Sequence, residues 1–418
     1  MNKKFQSIRG MRDIVGADAA GFEFLMDIVK KKLTGYGYQA FHPPILESTE
    51  LFSRSIGEGT DVVEKEMFTF DDHGDSLTMR PEATAGIVRA VVQNGMTFGS
   101  HKLWTAGAMF RRERPQKGRY RQFHQVSVEA FGITEPELDA EQIIFLAELW
   151  QELGIADCVS LHINTLATAE VRQRHREALL DYLKQRRDDL DTDSQRRLDK
   201  NPLRILDSKN PVMQEIIANA PKLAGYLDDI SSEHFSRVIS CLDAAGVSYI
   251  IDDTLVRGLD YYNHTVYEWV TDKLGAQGTI CGGGRYDGLA EHIGGKATPG
   301  VGFGLGIDRT VLLMQEVNSI PKASAPLAYF ILMGRAAKRR GLLLASDLRM
   351  AFPGRTVLTH LATSGIKAQF KKADQSGAEY AIIIGEDELS QDMATVKDLS
   401  NGEQKPVAFA ALASQLSK

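Results

Sequence analysis

Cysteine is scarce in this sequence, and its few cysteines are poorly placed for cross-linking. Cys158, Cys241 and Cys281 are odd in number and lie far apart along the chain. Such spacing fits neither a disulfide framework nor the paired ligands of a zinc site. Because disulfides form in oxidising compartments, their expected absence indicates a cytoplasmic protein. We expect no metal-ligating cluster of side chains.

Long apolar runs are also missing. No stretch approaches the roughly 20 apolar residues that a membrane-spanning helix needs. The first residues, MNKKFQSIRGMRD, include basic side chains but lack the apolar segment of a signal peptide. We therefore expect neither a membrane anchor nor a secretory leader.

The chain has no overall excess of positive charge, since 49 Lys and Arg stand against 55 Asp and Glu. A net charge of −6 argues against a protein that coats nucleic acid. One stretch differs: GAMFRRERPQKGRYRQFHQ, residues 107–125, surrounds the single acid Glu113 with basic side chains. Guanidinium groups suit bidentate contacts with phosphate, and the interleaved Tyr120 and Phe123 could stack on a base. This pattern favours a nucleotide or nucleic-acid role over a solvated loop.

A length of 418 residues predicts two or three domains. A Pro-containing linker at 317–327 precedes a strand–helix–strand pattern, which predicts a small α/β domain over 326–418. The charge-rich segment 167–235 predicts a helical insertion whose charges face solvent. The remaining parts, 1–166 and 236–320, contain short strands joined too closely for crossover helices. They predict an α+β domain with an antiparallel sheet backed by helices.

Two neighbouring segments predict a polar pocket floor. In FHQVSVEAF, strand alternation puts Gln125, Ser127 and Glu129 on one face and apolar residues on the other. The same alternation in AMFRRE puts Arg111 and Glu113 on one face. Charges buried in such a floor need a partner or a charged ligand.

Two further arginines stand in unusual places. Arg257 lies among apolar residues in LVRGLDYYNHTVYEW, where burial is costly without a partner, whereas Tyr261 and Tyr262 alone would predict only core positions. In GVGFGLGIDR, alternate glycines leave one strand face bare, and their spacing is not that of a dinucleotide fingerprint. Arg309 follows in the first turn of a helix, where a cation opposes the helix dipole unless it points at an anion.

Together, these segments resemble the class II aminoacyl-tRNA synthetases. HPPILE is similar to signature motif 1, FRRERPQ with RQFHQ to motif 2, and GVGFGLGIDR to motif 3. LVRGLDYYNHTVYEW and GGRYDGL are similar to two peptides peculiar to the histidyl-tRNA synthetase family. The resemblance covers nearly the whole chain, and the C-terminal segment takes the place of that family's anticodon-binding domain.

The resemblance implies a two-step reaction. ATP and L-histidine would give histidyl-adenylate and pyrophosphate, and the histidyl group would then pass to the 3′ end of tRNA(His). Mg²⁺ would bridge the phosphates, and motif 1 implies a homodimer.

The resemblance also implies roles for individual residues. The catalytic residues would be Arg111, Arg257 and Arg309. ATP would contact Arg111, Glu113, Phe123 and Arg309. Histidine would contact Glu82, Ala83, Thr84, Arg111, Gln125, Glu129, Arg257, Tyr261 and Tyr262. The tRNA acceptor end would contact Arg114, Gln116, Arg119 and Arg121.

Within that set, Glu129 and Tyr262 would read the two imidazole nitrogens, with Tyr261 alongside. Taken without the resemblance, Glu82 and Thr84 in MRPEATAG predict only the cap of a helix.

Four positions depart from the family pattern. Ala83 and Ser127 stand where the family has Gly, Arg112 replaces a His of relatives, and Asp308 replaces a Glu. Ser127 matters most, because it shares the pocket face with Gln125. Its hydroxyl would narrow the floor or add a hydrogen bond.

Three alternatives remain from other classes. The first is a non-catalytic paralogue that acts as a regulatory subunit in histidine biosynthesis; such paralogues usually lack the C-terminal domain and the tRNA loop, which are both present here. The second is a class II synthetase for another amino acid, against which LVRGLDYY and Glu129 argue. The third, a plain RNA-binding scaffold, would not need Arg257.

Overall fold

The structure, a computed structural model, describes residues 5–57, 59–206, 208, 210–275, 278–322 and 324–417. The chain divides into two compact units, Met1–Ile320 and Pro321–Lys418. The boundary falls within the Pro-containing linker that the sequence indicates.

The first unit is built on two sheets. Its strands are β1 Gln39–Ala40, β2 Leu46–Ser48, β3 Phe68–Asp72, β4 Asp75–Met79, β5 His101–Phe110, β6 Gln122–Phe131, β7 Ser160–Thr165, β8 Ile250–Ile251, β9 Asn263–Val270, β10 Thr279–Arg285 and β11 Gly300–Gly306. Among the described residues the main sheet has the order β1-β5-β6-β11-β10-β9-β7-β8. Only its outer pairs, β1 with β5 and β7 with β8, are parallel. The small sheet β2-β4-β3 is antiparallel.

Helices cover this framework. They are α1 Ala17–Gly35, α2 Thr49–Ile56, α3 Thr84–Gln93, α4 Glu137–Glu152, α5 Ala169–Lys184, α6 Thr192–Lys200, α7 Gln214–Ala218, α8 Asp229–Ala244, α9 Leu289–His292 and α10 Ile307–Glu316. Side chains of α1, α4, α8 and α10 form the largest apolar core with one face of the main sheet. The antiparallel sheet backed by helices confirms the predicted α+β fold.

The alternation predicted for FHQVSVEAF is present in β6. Val126, Val128 and Ala130 are buried in the core under the helices. Gln125 and Glu129 point to the opposite face, where glycines of β11 face them. The apolar residues of β6 therefore attach the strand to the core and present its polar residues to the site.

The segment predicted as an insertion is helical, with α5, α6, α7 and short 3₁₀ turns. Apolar side chains of these elements, including Leu179, Leu183, Leu198 and Met213, form a small core of their own. The limits 167–235 of a separate insertion domain stay a prediction.

The second unit has the α/β pattern that the sequence indicates. Its elements are β12 Ala328–Leu332, α11 Gly334–Ala351, β13 Val357–Thr359, α12 Ile366–Ser376, β14 Tyr380–Ile384, α13 Glu386–Ser390, β15 Met393–Asp398, β16 Gln404–Ala408 and α14 Leu412–Leu416. The sheet order is β13-β12-β14-β15-β16. Its first three strands are parallel, and β15 and β16 form an antiparallel hairpin.

A buried ion pair joins the end of β10 to the start of α4. Arg285, 1% exposed, donates to both carboxylate oxygens of the fully buried Asp139. Its remaining N–H groups donate to the carbonyls of Ile133 and Glu135 and to Asp287. The fully hydrogen-bonded guanidinium of Arg285 thus attaches the GGRYDGL peptide to the start of α4 and to the loop before it.

We expect Asp139→Ala to lower the free energy of unfolding of the first unit by about 3 kcal/mol, because it leaves a buried cation without its main partner. Glu137→Ala is the matched control, since Glu137 lies two residues away in the same helix and pairs with Arg237 at the surface. It should cost much less. Urea unfolding of both variants measures the difference, and equal losses would contradict the importance of burial.

Candidate active site

A cavity of about 290 Å³ opens on the polar face of the main sheet. Strands β6, β10 and β11 form its floor, and the start of α10 and the loop between β5 and β6 form its walls. It brings together seven of the residues singled out from the sequence: Arg111, Glu113, Arg119, Phe123, Gln125, Arg257 and Arg309.

The basic loop between β5 and β6 is an ordered hairpin. Strand β5 ends at Phe110, but the backbone pairing continues where Arg111 N–H donates to the Arg121 carbonyl at 2.9 Å. Further out, Gln116 and Arg119 exchange backbone hydrogen bonds of 3.0 and 2.9 Å. Gly118, with φ of 75°, forms the tip between them.

The hairpin divides the predicted basic residues into two groups. Arg111 and Arg119 reach the cavity, and Arg119 pairs there with Glu113. Arg114 and Gln116 are exposed and lie outside the cavity lining. Arg121 also lies outside it and donates to the Glu113 carbonyl at 3.3 Å.

Long polar side chains from neighbouring segments lie over the glycines of β10 and β11. A Cβ on Gly302 would lie 1.7 Å from a carboxylate oxygen of Glu129, and one on Gly304 would lie 2.1 Å from the Gln125 amide nitrogen. A Cβ on Gly282 would lie 2.5 Å from the Arg257 guanidinium. Each glycine thus makes room for a predicted functional side chain.

Arg111 and Arg309 are held by backbone carbonyls on opposite sides of the cavity. Arg111 Nε donates to the Pro81 carbonyl at 2.9 Å, and its guanidinium lies 5.5 Å from the Phe123 ring centroid. Arg309 donates to the carbonyls of Gly118 at 2.9 Å and Thr279 at 2.7 Å. Burial, together with the nearby positive charges of Arg119 and Arg111, lowers the pKa of Arg309 to about 10. Crowding of positive charge at a partly buried site favours an anionic ligand.

Arg257 has the partner that its position in the sequence demands. It forms an ion pair with Glu268 of β9, which also accepts a hydrogen bond of 2.9 Å from Thr279. Although burial acts to lower the pKa of Arg257, the Glu268 carboxylate raises it. Glu268 lines the cavity, and sequence reasoning did not single it out. The sequence feature that could have indicated Glu268 is its place as a single acidic residue between two aromatic residues, Tyr267 and Trp269.

A buried polar cluster lies beside the cavity, among residues that do not line it. Glu82 accepts the backbone N–H groups of Thr84 at 2.7 Å and Ala85 at 2.8 Å, so it caps α3. The Thr84 hydroxyl donates to Glu129 at 2.6 Å, and Tyr286 donates to the same carboxylate. Burial raises the pKa of Glu129 to about 8 despite these hydrogen bonds.

A tyrosine outside the predicted set holds Glu129. The Tyr286 hydroxyl donates to the Glu129 carboxylate. Tyr261 and Tyr262 are buried with ring centroids 4.6 Å apart, and Tyr261 lies 5.7 Å from the Tyr286 ring. Tyr286 belongs to the GGRYDGL peptide, but no pattern within one strand indicates which glutamate it reaches.

The two small departures from the family pattern are both buried. Ala83 is 1% exposed and precedes α3. The Ser127 hydroxyl donates to the side-chain amide oxygen Oε1 of Gln125 at 3.4 Å, so it adds a weak hydrogen bond to the floor.

An N-terminal segment fastens the hairpin to α10. Gly10 accepts the Arg121 N–H at 2.7 Å, and Arg12 lies 4.7 Å from the Tyr120 ring centroid. Arg12 also pairs with Asp308 at 3.0 Å. Because Asp308 precedes Arg309, these contacts link both walls of the cavity. The sequence showed this segment only as a few basic residues.

In the described part of the chain, no group of three or more His, Cys, Asp or Glu is arranged to hold a metal ion. Nor does any described helix have the length and apolar character needed to cross a membrane.

Comparisons with known proteins show the family of the chain. Residues 10–310 match the family described as histidyl-tRNA synthetase, and residues 342–418 match the anticodon binding domain family. The apo histidyl-tRNA synthetase of S. aureus shares 33% identity over 99% of this chain and 100% of its own, with a TM-score of 0.82.

More distant structures share the fold. The histidyl-tRNA synthetase of a Nostoc species has 20% identity over 99% of both chains and a TM-score of 0.69. A Bacillus halodurans protein described as an ATP phosphoribosyltransferase regulatory subunit/histidyl-tRNA synthetase has 20% identity, covers 89% of this chain and 97% of its own, and has a TM-score of 0.64.

The antiparallel sheet, with the segments that resemble motifs 2 and 3 around one cavity, is the catalytic fold of the class II aminoacyl-tRNA synthetases. Within that class, both the family match and the full-length structure at 33% identity are histidyl-tRNA synthetases. The chain belongs to the histidyl-tRNA synthetase family.

We expect Glu129→Gln to change how stability depends on pH. The folded-state pKa of Glu129 is raised to about 8, so its contribution to stability is complete below the ordinary value of 4.5 and is lost as the pH rises through 8. Between pH 6 and 9 the wild type should lose stability relative to the variant by at most about 1.4 kcal/mol per pH unit. Urea unfolding across this range measures it.

Glu135→Gln is the control for this experiment, because Glu135 is exposed. Its stability difference from the wild type should stay constant across the range. A constant difference for Glu129→Gln as well would show that Glu129 is ionised throughout.

We expect Arg12→Met to loosen the basic hairpin. Loss of the contacts with Asp308 and Tyr120 should increase tryptic cleavage at residues 111–121 about tenfold, if those contacts contribute about 1.4 kcal/mol. Arg54→Met is the control, since Arg54 pairs with Glu50 on the exposed side of α2. Mass spectrometry of the cleavage products measures the effect. Equal cleavage rates in both variants would show that the contacts of Arg12 do not hold the hairpin in place.

Proposed function

We propose that this chain activates L-histidine with ATP, releases pyrophosphate, and transfers the histidyl group to the 3′ end of tRNA(His). The observation that supports this most is the convergence of Arg111, Arg257 and Arg309 on one cavity beside a buried carboxyl cluster. A triphosphate and a carboxylate are the anions that such a site would bring together.

ATP would lie along the cavity from the hairpin to α10. Phe123 offers a flat ring and Glu113 an acceptor near the hairpin, which suits a nucleobase with an amino group. At the other end Arg309 would meet the terminal phosphates. Burial and the positive charges of Arg119 and Arg111 lower its pKa, and a phosphate bound there would offset this repulsion.

Attack of the histidine carboxylate on the α-phosphorus joins two anions. Arg111 and Arg257 lie on the floor side and would neutralise the charge that builds up there. Preorganised cations in a water-poor site stabilise such charge strongly. Arg257 is kept cationic and oriented by Glu268 and Thr279, so it costs little reorganisation when the reaction occurs.

Selection of histidine would fall to the cluster around Glu129. With a pKa raised to about 8, Glu129 is largely protonated at neutral pH and can donate to or accept from an imidazole nitrogen. Tyr286 holds this carboxyl, and Tyr261 and Tyr262 lie beside it. An apolar amino acid would leave these buried polar groups unpaired and would be rejected. Glu82, Ala83, Thr84 and Gln125 would surround the rest of the amino acid.

Mg²⁺ would arrive on the phosphates of ATP. Glu113 and Glu268 are carboxylates of the cavity lining, and both are already paired with arginines. This donor set fits an ion that keeps most of its waters and phosphate ligands, since Mg²⁺ commonly uses only one or two protein carboxylates. When bound, the ion would shield the phosphate charge.

The tRNA would meet the chain in two places. Arg114, Gln116, Arg119 and Arg121 lie on or beside the hairpin tip, where the acceptor end would approach the cavity. The second unit, which matches the anticodon binding domain family, would contact the anticodon. A homodimer in the cytoplasm completes the proposal by analogy with the family.

The test is ATP–pyrophosphate exchange by the purified protein with each standard amino acid. Exchange should depend on histidine alone. Arg257→Ala should lower kcat about 100-fold or more, in line with the loss of a group that stabilises transition-state charge, while KM for histidine changes little. Arg257→Lys should recover part of the rate.

Arg174→Ala is the control for these variants, because Arg174 is an exposed residue of α5. An effect of Arg257→Ala confined to KM would contradict its proposed role. A folded wild-type protein without exchange for any amino acid would instead favour the regulatory paralogue, whose fold is represented by the B. halodurans structure.

A further inference from the structure

A second cleft lies on the other side of the peptide that carries Arg257. Its volume is about 380 Å³, and it runs between α5, the 3₁₀ turn Pro202–Ile205 and the segment from Val256 to Tyr262. Arg257 and Tyr262 contribute to its wall, and Arg257 also lines the first cavity. The two cavities are therefore separated by little more than this peptide.

One face of α5 is turned into this cleft. Ala169, Arg172, Gln173 and Arg176 line it at i, i+3, i+4 and i+7 spacing. The apolar residues of α5 are buried on another face, and Arg174 is exposed. The charges of this helix, expected to face solvent throughout, are thus divided between solvent and a concave surface.

The cleft is lined by more cations than carboxylates. Arg172, Arg176, Arg204 and Arg257 line it with one carboxylate, Asp260. Arg257 and Arg204 also pair with Glu268 and Asp61 outside the lining, which leaves Arg172 and Arg176 as its main uncompensated charges. Burial lowers the pKa of Arg172, which shows that its charge is not fully compensated. Arg176 has no hydrogen bond or ion pair with any residue that the structure describes. Its guanidinium is available to a ligand.

Two of these arginines also hold the peptide itself. Arg204 donates to the Gly258 carbonyl, and Arg172 donates to the Tyr262 carbonyl. Asn201 donates to Asp260 at 3.0 Å between them. The groups that form the cleft are therefore the same groups that position the backbone around Arg257.

We propose that this cleft is a second phosphate-binding site, in which Arg176 and its neighbours take a phosphate group of an RNA strand or of a free polyphosphate. Planar guanidinium groups on both walls suit bidentate contacts with phosphate oxygens. A phosphate bound there draws α5 against the Val256–Tyr262 peptide. Binding of phosphate in the cleft thereby changes the position of the backbone that carries Arg257.

The experiment compares Arg176→Gln with Arg174→Gln, its neighbour on the exposed face of the same helix. Affinity for an unmodified tRNA(His) transcript is measured by filter binding between 50 and 200 mM salt, and affinity for inorganic pyrophosphate by calorimetry. If RNA supplies the phosphate, Arg176→Gln weakens transcript binding about three- to tenfold. It also reduces the salt slope by about 0.7 to 0.9, as expected for one lost phosphate contact.

If a free polyphosphate is the ligand, the loss appears with pyrophosphate and not with the transcript. Arg176→Glu should enlarge whichever loss is seen, because it reverses the charge. Since Arg176 has no partner in the described fold, both variants should keep the wild-type melting temperature. Unchanged affinity for both probes, or an equal loss in Arg174→Gln, would overturn the proposal.

Neither binding measurement requires turnover. A protein that fails to exchange pyrophosphate into ATP would therefore contradict the proposed function alone. The second phosphate site would be judged separately from it.

Discussion

The central constraint on this molecule is the repulsion among guanidinium groups held in one small, partly dehydrated cavity. Arg111, Arg257 and Arg309 all line it, and their mutual repulsion adds to the cost of burial. The fold meets this cost unevenly. Arg257 receives a carboxylate, Glu268, and Arg111 and Arg309 donate to the carbonyls of Pro81 and Thr279. An anionic substrate would offset the repulsion among these guanidinium groups.

That arrangement explains the glycines of β10 and β11. Long polar side chains can lie flat over the sheet only where the strand beneath has no Cβ. Gly302 admits Glu129, Gly304 admits Gln125, and Gly282 admits Arg257. The sequence indicated a strand face without side chains. In the structure, the side chains of Glu129, Gln125 and Arg257 lie over part of that face, so the glycines make room for residues that would bind the ligand.

The sequence predicted features that depend on local periodicity or on recognisable segments. Alternation along β6 was enough to separate Gln125 and Glu129 from the apolar core, and a cation in the first turn of α10 indicated an anion site. Partners brought together by strand register were not accessible in this way. Glu268 meets Arg257 because β9 lies beside Gly282 of β10, and Tyr286, just after β10, reaches Glu129 of β6 across β11. Helix α12 was also missed, because its apolar residues are few.

The helical insertion has a direct part in the geometry of the site. The Val256–Tyr262 peptide has little regular structure of its own, yet it carries Arg257, a largely buried cation that lines the cavity. Glu268 fixes the guanidinium, and Asp260 N–H donates to the Ile56 carbonyl at the end of α2. Arg172 and Arg204 fix the carbonyls at Tyr262 and Gly258 from the insertion. Since these are the insertion's own side chains, a movement of α5 or of the Pro202–Ile205 turn would strain the hydrogen bonds that hold the backbone beside Arg257. The insertion is joined to this peptide at two points, Gly258 and Tyr262, and therefore does more than cover the surface.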